Sequence, residues 1–196
     1  TQAAVAISVT AGGTAVDLAN AVTASGGGGL NVTSAILSGH DTVGSQVPYG
    51  TYTNASGTYG VELGSGIVLS SGNVKNYSDG ASSSNGLSSI YGAPATAAQE
   101  TLLDPITGGS LDHWDVTQLD VVFDLEPGTD TVYFNVVFGS EEFDEFVGSA
   151  YIDAFGLYVN GTNIAFEDGQ PLNINHPNME FRTGTELDGI LMDDPA

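Results

Sequence analysis

Apolar and polar residues alternate with a period of two at several places along the chain, the spacing of a strand with one face turned inward. Near the N-terminus Ala3, Val5, Ile7 and Val9 alternate with Gln2, Ala4, Ala6 and Ser8, which predicts a strand ended by Gly12-Gly13. The period then changes. Val16, Leu18, Ala19 and Val22 in TAVDLANAVTA (14–24) are spaced as on one face of a short helix, closed by the glycines at 26–29. LNVTSAILS (30–38) reads as the next strand. Turn residues dominate from Gly39 to Gly66, Ile67-Val68-Leu69 form an apolar run, and residues 70–96 read as a long Ser-, Gly- and Asn-rich loop. TAAQETLLD (96–104) predicts a second helix, broken at Asp104-Pro105.

The clearest alternation is in QLDVVFDLE (118–126), where Leu119, Val121, Phe123 and Leu125 oppose Asp120, Val122, Asp124 and Glu126. Pro127-Gly128 makes a turn, and TVYFNVVF (131–138), apolar on both faces, predicts a central strand returning as the antiparallel partner of 118–126. Further strands are expected at 151–159, 162–167 and 171–175, the first two joined by a type I′ turn at Asn160-Gly161. Many short strands, Gly-rich turns and little helix predict an all-β fold, a β-sandwich or jelly roll of mainly antiparallel strands with one or two short helices and long Gly/Ser-rich loops. Residues 1–13 read as an N-terminal strand and Gly-Gly linker, and 14–196 as a single domain.

Charge then narrows the function classes. The 196-residue chain carries 24 Asp and Glu against two basic side chains, Lys75 and Arg182, for a formal charge of −22. Nucleic acids and anionic membranes need clustered Lys and Arg, so both are excluded as partners. With 41% apolar and only 13% charged residues the chain is globular rather than a solvated tail. Cysteine is absent, which removes disulfides, thiolate metal sites and a thiol nucleophile. No apolar run reaches the roughly 18 residues of a membrane span. Abundant Gly, Ser, Thr and Asn with little Lys resemble secreted prokaryotic surface proteins, and a start at Thr1 is expected to reflect processing or a chosen boundary. N-x-S/T sequons begin at Asn31, Asn54, Asn76 and Asn160, and since roughly two or three would appear by chance in this composition they carry little weight.

The chemistry concentrates in VVFGSEEFDEFVGSAYIDAFGLYVNG (136–161), where Glu141, Glu142, Asp144 and Glu145 crowd together without a nearby cation. Such carboxylates repel, and burying one without a partner costs several kcal/mol or forces protonation, so water or a metal ion must solvate them. A strand would turn Glu141 and Glu145 away from Glu142 and Asp144, whereas a loop lets them converge. Ca²⁺ takes about 6–8 oxygen ligands, which Ser140 Oγ, backbone carbonyls and Asp153 from the next segment can complete. The competing reading is a solvated acidic loop, since the spacing is not that of an EF-hand.

Enzymatic readings are weaker. Glu141 and Glu142 are adjacent and fix no second acid across a glycosidic bond, and Ser70-Ser71 lie outside any G-x-S-x-G elbow. His40, His113 and His176 form no i, i+4 pair, so zinc is unsupported and they read as loop residues. Trp114, Tyr91 and Tyr77 in or near the long loops keep a carbohydrate-binding module as a rival, since exposed aromatics stack on sugar rings.

VFGSEEFDEFVGS with the following Asp153-AFGLYVNGTNIA resembles the signature of the choice-of-anchor L domain, a family of secreted prokaryotic surface domains. GIVLSSGN (66–73), LLDPITGG (102–109), the 115–125 stretch and ELDGIL (186–191) resemble further family segments in the same order, from about residue 14 to 191. The resemblance implies an extracellular or cell-surface module with structural or adhesive roles and no catalytic motif. It singles out Glu141, Glu142, Glu145 and Asp153 and strengthens the Ca²⁺ expectation, while Asp144 stands where the family varies. Family members continue beyond the Asp-Gly element, whereas this chain ends at DDPA, which predicts a sandwich short of its last strands. A second copy could then supply a strand, with AAVAISV as donor, building a fibre; residues 1–10 pairing inside their own domain is the preferred alternative.

Overall fold

The computed structural model describes residues 7–24, 29–39, 46–55, 63–77, 89–140, 142–143 and 146–179. The expected features at His40, Arg182, ELDGIL and the C-terminal DDPA lie outside them, as do residues 1–6 of the first strand. The elements are β1 (Ile7–Ala11), α1 (Ala15–Ala24), β2 (Leu30–Ser38), β3 (Tyr49–Asn54), β4 (Ser65–Leu69), a short 3₁₀ turn at Val74–Asn76, α2 (Ala97–Thr107), β5 (Gln118–Leu125), β6 (Tyr158–Val159), β7 (Thr162–Asn163), β8 (Phe166–Glu167) and β9 (Gln170–Pro171). Among the described residues every pairing is antiparallel, no sheet closes into a barrel and there are two short helices, so the class is all-β, in keeping with a sandwich. The residues group into two compact units. One takes in the described residues up to Tyr77 with 89–93 and 115–136; the other takes in 94–114 and the described residues from Val137 to Met179.

In the first unit β1, β3 and β4 form a sheet in the order β1-β3-β4, and β2 pairs with β5. Helix α1 packs chiefly on β2 and β4. Its start is a reciprocal cap: Thr14 Oγ1 accepts the Asp17 N–H at 3.2 Å, and Asp17 Oδ2 accepts the Thr14 N–H at 2.9 Å. The Thr14 backbone N–H first, and the Thr14 hydroxyl donating to Asp17 Oδ2 at 2.7 Å second, hold the Asp17 carboxyl below its ordinary range. Leu18 and Ala19 are fully buried as the helical spacing predicts, but Val16, expected on the same face, is exposed.

Three expectations are corrected here. First, residues 49–54, read as turn-rich, form the central strand β3. Gly50 is there because β1 approaches so closely that a Cβ would lie 2.4 Å from the Thr10 carbonyl oxygen. Gly66, directly opposite Tyr52 on β4, leaves room for that ring, with a hypothetical Cβ only 3.0 Å from it.

Second, 131–138 is not the hairpin partner of β5. The Glu126 to Thr129 turn does form, with Gly128 at φ 94° and the Thr129 N–H on the Glu126 carbonyl at 3.0 Å. The chain then runs without strand pairing among the described residues and leaves Tyr133 86% exposed. β2 takes the ladder instead, aligning Val32 with Phe123, Ala35 with Val121 and Leu37 with Leu119 on one face, past a bulge at Thr33. The Glu126 N–H continues this pairing to the Gly29 carbonyl at 2.9 Å.

Third, α2 in the second unit does not stop at Asp104 but passes through Pro105 to Thr107. Pro105 removes only one N–H near the helix end. The extra turn buries Ile106, which is 2% exposed, and Gly108 ends it at φ 92° with its N–H on the Asp104 carbonyl. At the other end, Thr96 and Gln99 make a full capping box.

The later strands are shorter than their patterns suggest. The span expected at 151–159 keeps only Tyr158–Val159 and a bridge from Ala154 to Asn173. The Asn160-Gly161 turn is present, with φ of 49° and 82°, and Asp168-Gly169 makes a similar turn at 49° and 76°. Ile174 and Ala165 join Ile106 in the buried set. β1 pairs with β3 of its own chain from Ile7 opposite Asn54 to Ala11 opposite Gly50, so the described part of the candidate donor strand is engaged internally.

Candidate functional site

The described residues around the acidic stretch, Glu142, Phe143 and 146–150, lie in the second unit in turns and bends rather than a strand. Ser140 organises its beginning. Its Oγ accepts the Glu142 N–H at 3.1 Å and donates to Asp153 Oδ2 at 2.7 Å, joining positions thirteen residues apart. The Phe146 N–H then reaches back to the Glu142 carbonyl at 3.1 Å, and the Ser149 N–H to the Phe146 carbonyl at 2.9 Å. Gly148 adopts φ 79°, and its N–H binds Asn175 Oδ1 at 2.6 Å. The Phe146 and Tyr151 rings meet edge to face at 5.4 Å.

Asp153 is itself fixed by the backbone. Its carbonyl accepts the Ile174 N–H at 2.9 Å, and the neighbouring Ala154 bridges Asn173, whose Nδ2 donates to the Ile106 carbonyl at 2.7 Å. The carboxylate is therefore carried by a segment tied to the core residue Ile106. Of the six residues singled out for a metal, Ser140, Glu142 and Asp153 are described, and Ser140 directly joins Asp153. Glu142 reaches the group through its backbone N–H, and its side chain is half-buried. Glu141, Asp144 and Glu145 lie outside the described residues.

A second constellation was not legible in sequence. Glu100 and Asp104, one helical turn apart on α2, share a face, and each offers an oxygen that lies with a His113 ring nitrogen within 4.8 Å of one another. Left-handed backbone at Gly108, Gly109 and Ser110 turns the chain so that His113 comes back beside the helix. There Glu100 Oε1 accepts the His113 N–H at 3.0 Å, and Oε2 meets Nδ1 at 2.5 Å. The Ala95 N–H holds the His113 carbonyl at 2.9 Å. The ring nitrogen bond first, and the backbone bond second, hold the Glu100 carboxyl below its ordinary range. The one clue in sequence was the pair of acids four apart on a helix; the histidine is supplied only by tertiary structure.

His176 and the aromatics also find places, while His40 lies outside the described residues. His176 is buried, with Nδ1 accepting the Asn178 N–H at 3.1 Å and Nε2 facing the Glu167 carbonyl at 2.9 Å, a neutral ring that pins a loop. Trp114 is 54% exposed beside its bridge to Pro94, Tyr77 is exposed, and Tyr91 is half-buried. No helix among the described residues is long and apolar enough to cross a membrane.

Compared with known families, residues 8–185 match the model of the choice-of-anchor L domain, which is most of the chain. Comparison with curated proteins and with solved structures finds no match. The family is one of surface-associated modules, outside the known enzyme families, which points to a surface or extracellular setting. On this match, and on the SEEF block that Ser140 ties to Asp153, the chain belongs to the choice-of-anchor L domain family.

Proposed function

We propose that this chain is a non-catalytic extracellular building block of a cell surface, matrix or filament, with Ca²⁺ stabilising the corner where Ser140, at the head of the acidic stretch, joins Asp153. The observation that carries the reading is the Ser140 to Asp153 hydrogen bond, which returns a carboxylate from the following segment to the start of the acidic loop. All donors there are oxygens, the chemistry a hard cation prefers. A bound ion would remove the mutual repulsion of acids that have almost no Lys or Arg in the chain to offset them.

Thermal unfolding in chelator and in Ca²⁺ tests this. The unfolded chain holds its acids apart, so an ion at one hundred times its Kd adds about 2.7 kcal/mol. For a chain of this size that raises Tm by about 5–10 °C. Asp153→Asn should remove most of the rise, and identical melting of the wild type with and without Ca²⁺ would sink the proposal.

A glycan-binding role is the second reading, supported by the exposure of Trp114. It predicts glycan-array binding that Trp114→Ala abolishes. Assembly by strand donation gains no support from β1, which is already paired with β3. Association of copies is tested by light scattering before and after removal of residues 1–6.

A further inference from the structure

We infer that Glu100, Asp104 and His113 form a second metal site, distinct in chemistry from the acidic corner and suited to a borderline divalent transition metal such as Zn²⁺. The donors are two carboxylate oxygens and one imidazole nitrogen, with candidate ligand atoms within 4.8 Å of one another. Around Zn²⁺ such atoms sit at about 2.0–2.2 Å from the ion, so small side-chain rotations close the set. Nitrogen in the donor set selects against Ca²⁺, which takes oxygen.

The hydrogen-bond chain behind the ring indicates which nitrogen is available. Thr107 Oγ1 donates to the Leu103 carbonyl at 3.3 Å, and the same oxygen lies 3.0 Å from His113 Nε2. With its proton directed to Leu103, the hydroxyl accepts from Nε2–H. That places Nδ1 toward Glu100 Oε2 as the position where a cation sits, either a proton or a metal ion. A metal taking Nδ1 displaces any proton there to solvent and leaves the Nε2–H to Thr107 to Leu103 chain intact. This is the orienting contact that metal-bound imidazoles usually make.

The frame does not depend on the ion. His113 is fixed by its N–H on Glu100 Oε1 and by its carbonyl on Ala95, and its side chain is only 9% exposed. Asp104 stands one turn from Glu100 and makes no side-chain hydrogen bond among the described residues. Two like charges at i, i+4 are mildly destabilising on a helix, and a divalent ion reverses the sign of that term.

Titration of the purified chain with Zn²⁺ by calorimetry, and with Co²⁺ by visible absorption, tests the site. The expected result is one saturable transition-metal site that excess Ca²⁺ does not displace, with a cobalt spectrum showing nitrogen and oxygen ligation. Asp104→Asn, which preserves the His113 to Glu100 contacts, should weaken binding at least about tenfold, and His113→Gln should remove the spectrum. Asp153→Asn should leave both unchanged, which separates this site from the acidic corner. Binding equally strong in Asp104→Asn and His113→Gln, or only weak binding that Ca²⁺ displaces, would overturn the inference; circular dichroism confirms that each variant is folded.

Discussion

Replacing Ser140 with alanine is the sharpest probe of the acidic corner. The side chain makes two bonds, donating to Asp153 Oδ2 at 2.7 Å and accepting the Glu142 N–H at 3.1 Å. A bond to a charged partner contributes about 1.5–3 kcal/mol and a neutral one about 0.5–1.5 kcal/mol. Both groups are half-buried, so water replaces part of the loss and the lower ends apply. The expected cost of Ser140→Ala is about 2 kcal/mol, or a Tm lower by about 4–8 °C. Urea unfolding followed by circular dichroism measures it, in chelator so that metal binding does not enter. Ser149→Ala serves as the control, because its Oγ accepts the Tyr151 N–H at 3.0 Å and donates to the Tyr151 carbonyl at 3.4 Å, both exposed contacts with neutral groups, and its cost should stay below about 1 kcal/mol. Equal stabilities of Ser140→Ala and the wild type would refute the claim that this hydroxyl joins the two segments.

Three further outcomes follow from the packing and the charges. Gly50→Ala forces a Cβ against the Thr10 carbonyl and should destabilise the β1-β3-β4 sheet by about 1–3 kcal/mol in urea unfolding. Ile106→Ala empties a fully enclosed position between α2 and the segment around Gly156, and should cost about 2–5 kcal/mol by the same measurement. Glu100 has a depressed carboxyl pKa, so its contribution is present above the unfolded value near 4.5 and is lost as pH falls through the lower folded value. Melting temperature scanned downward from pH 5 should therefore fall less steeply in Glu100→Gln than in the wild type.

Legibility in the sequence tracked the range of the interactions. Helix α1, strand β2 and strand β5 appear where their periods place them, because each is specified by its own row of apolar residues and by adjacent caps or glycines. The 131–138 segment has equally strong strand composition, yet it joins no ladder among the described residues, and β5 pairs with the sequence-distant β2. Gly50 and Gly66 read locally as turn residues, although they serve close approach between strands. Pro105 reads as a helix stop, and burial of Ile106 one residue later carries the helix past it.

The candidate sites divide in the same way. Acid density and the SEEF block mark the 140–153 corner in the linear chain, because the relevant groups are neighbours or lie on consecutive segments. Composition alone also gives the formal charge of −22 and the absence of cysteine. His113 needed tertiary structure, since three left-handed residues after α2 decide that it turns back to Glu100 and Asp104. Local periodicity and charge are properties of a segment, whereas strand partners and convergent side chains depend on long-range contacts that no single segment specifies.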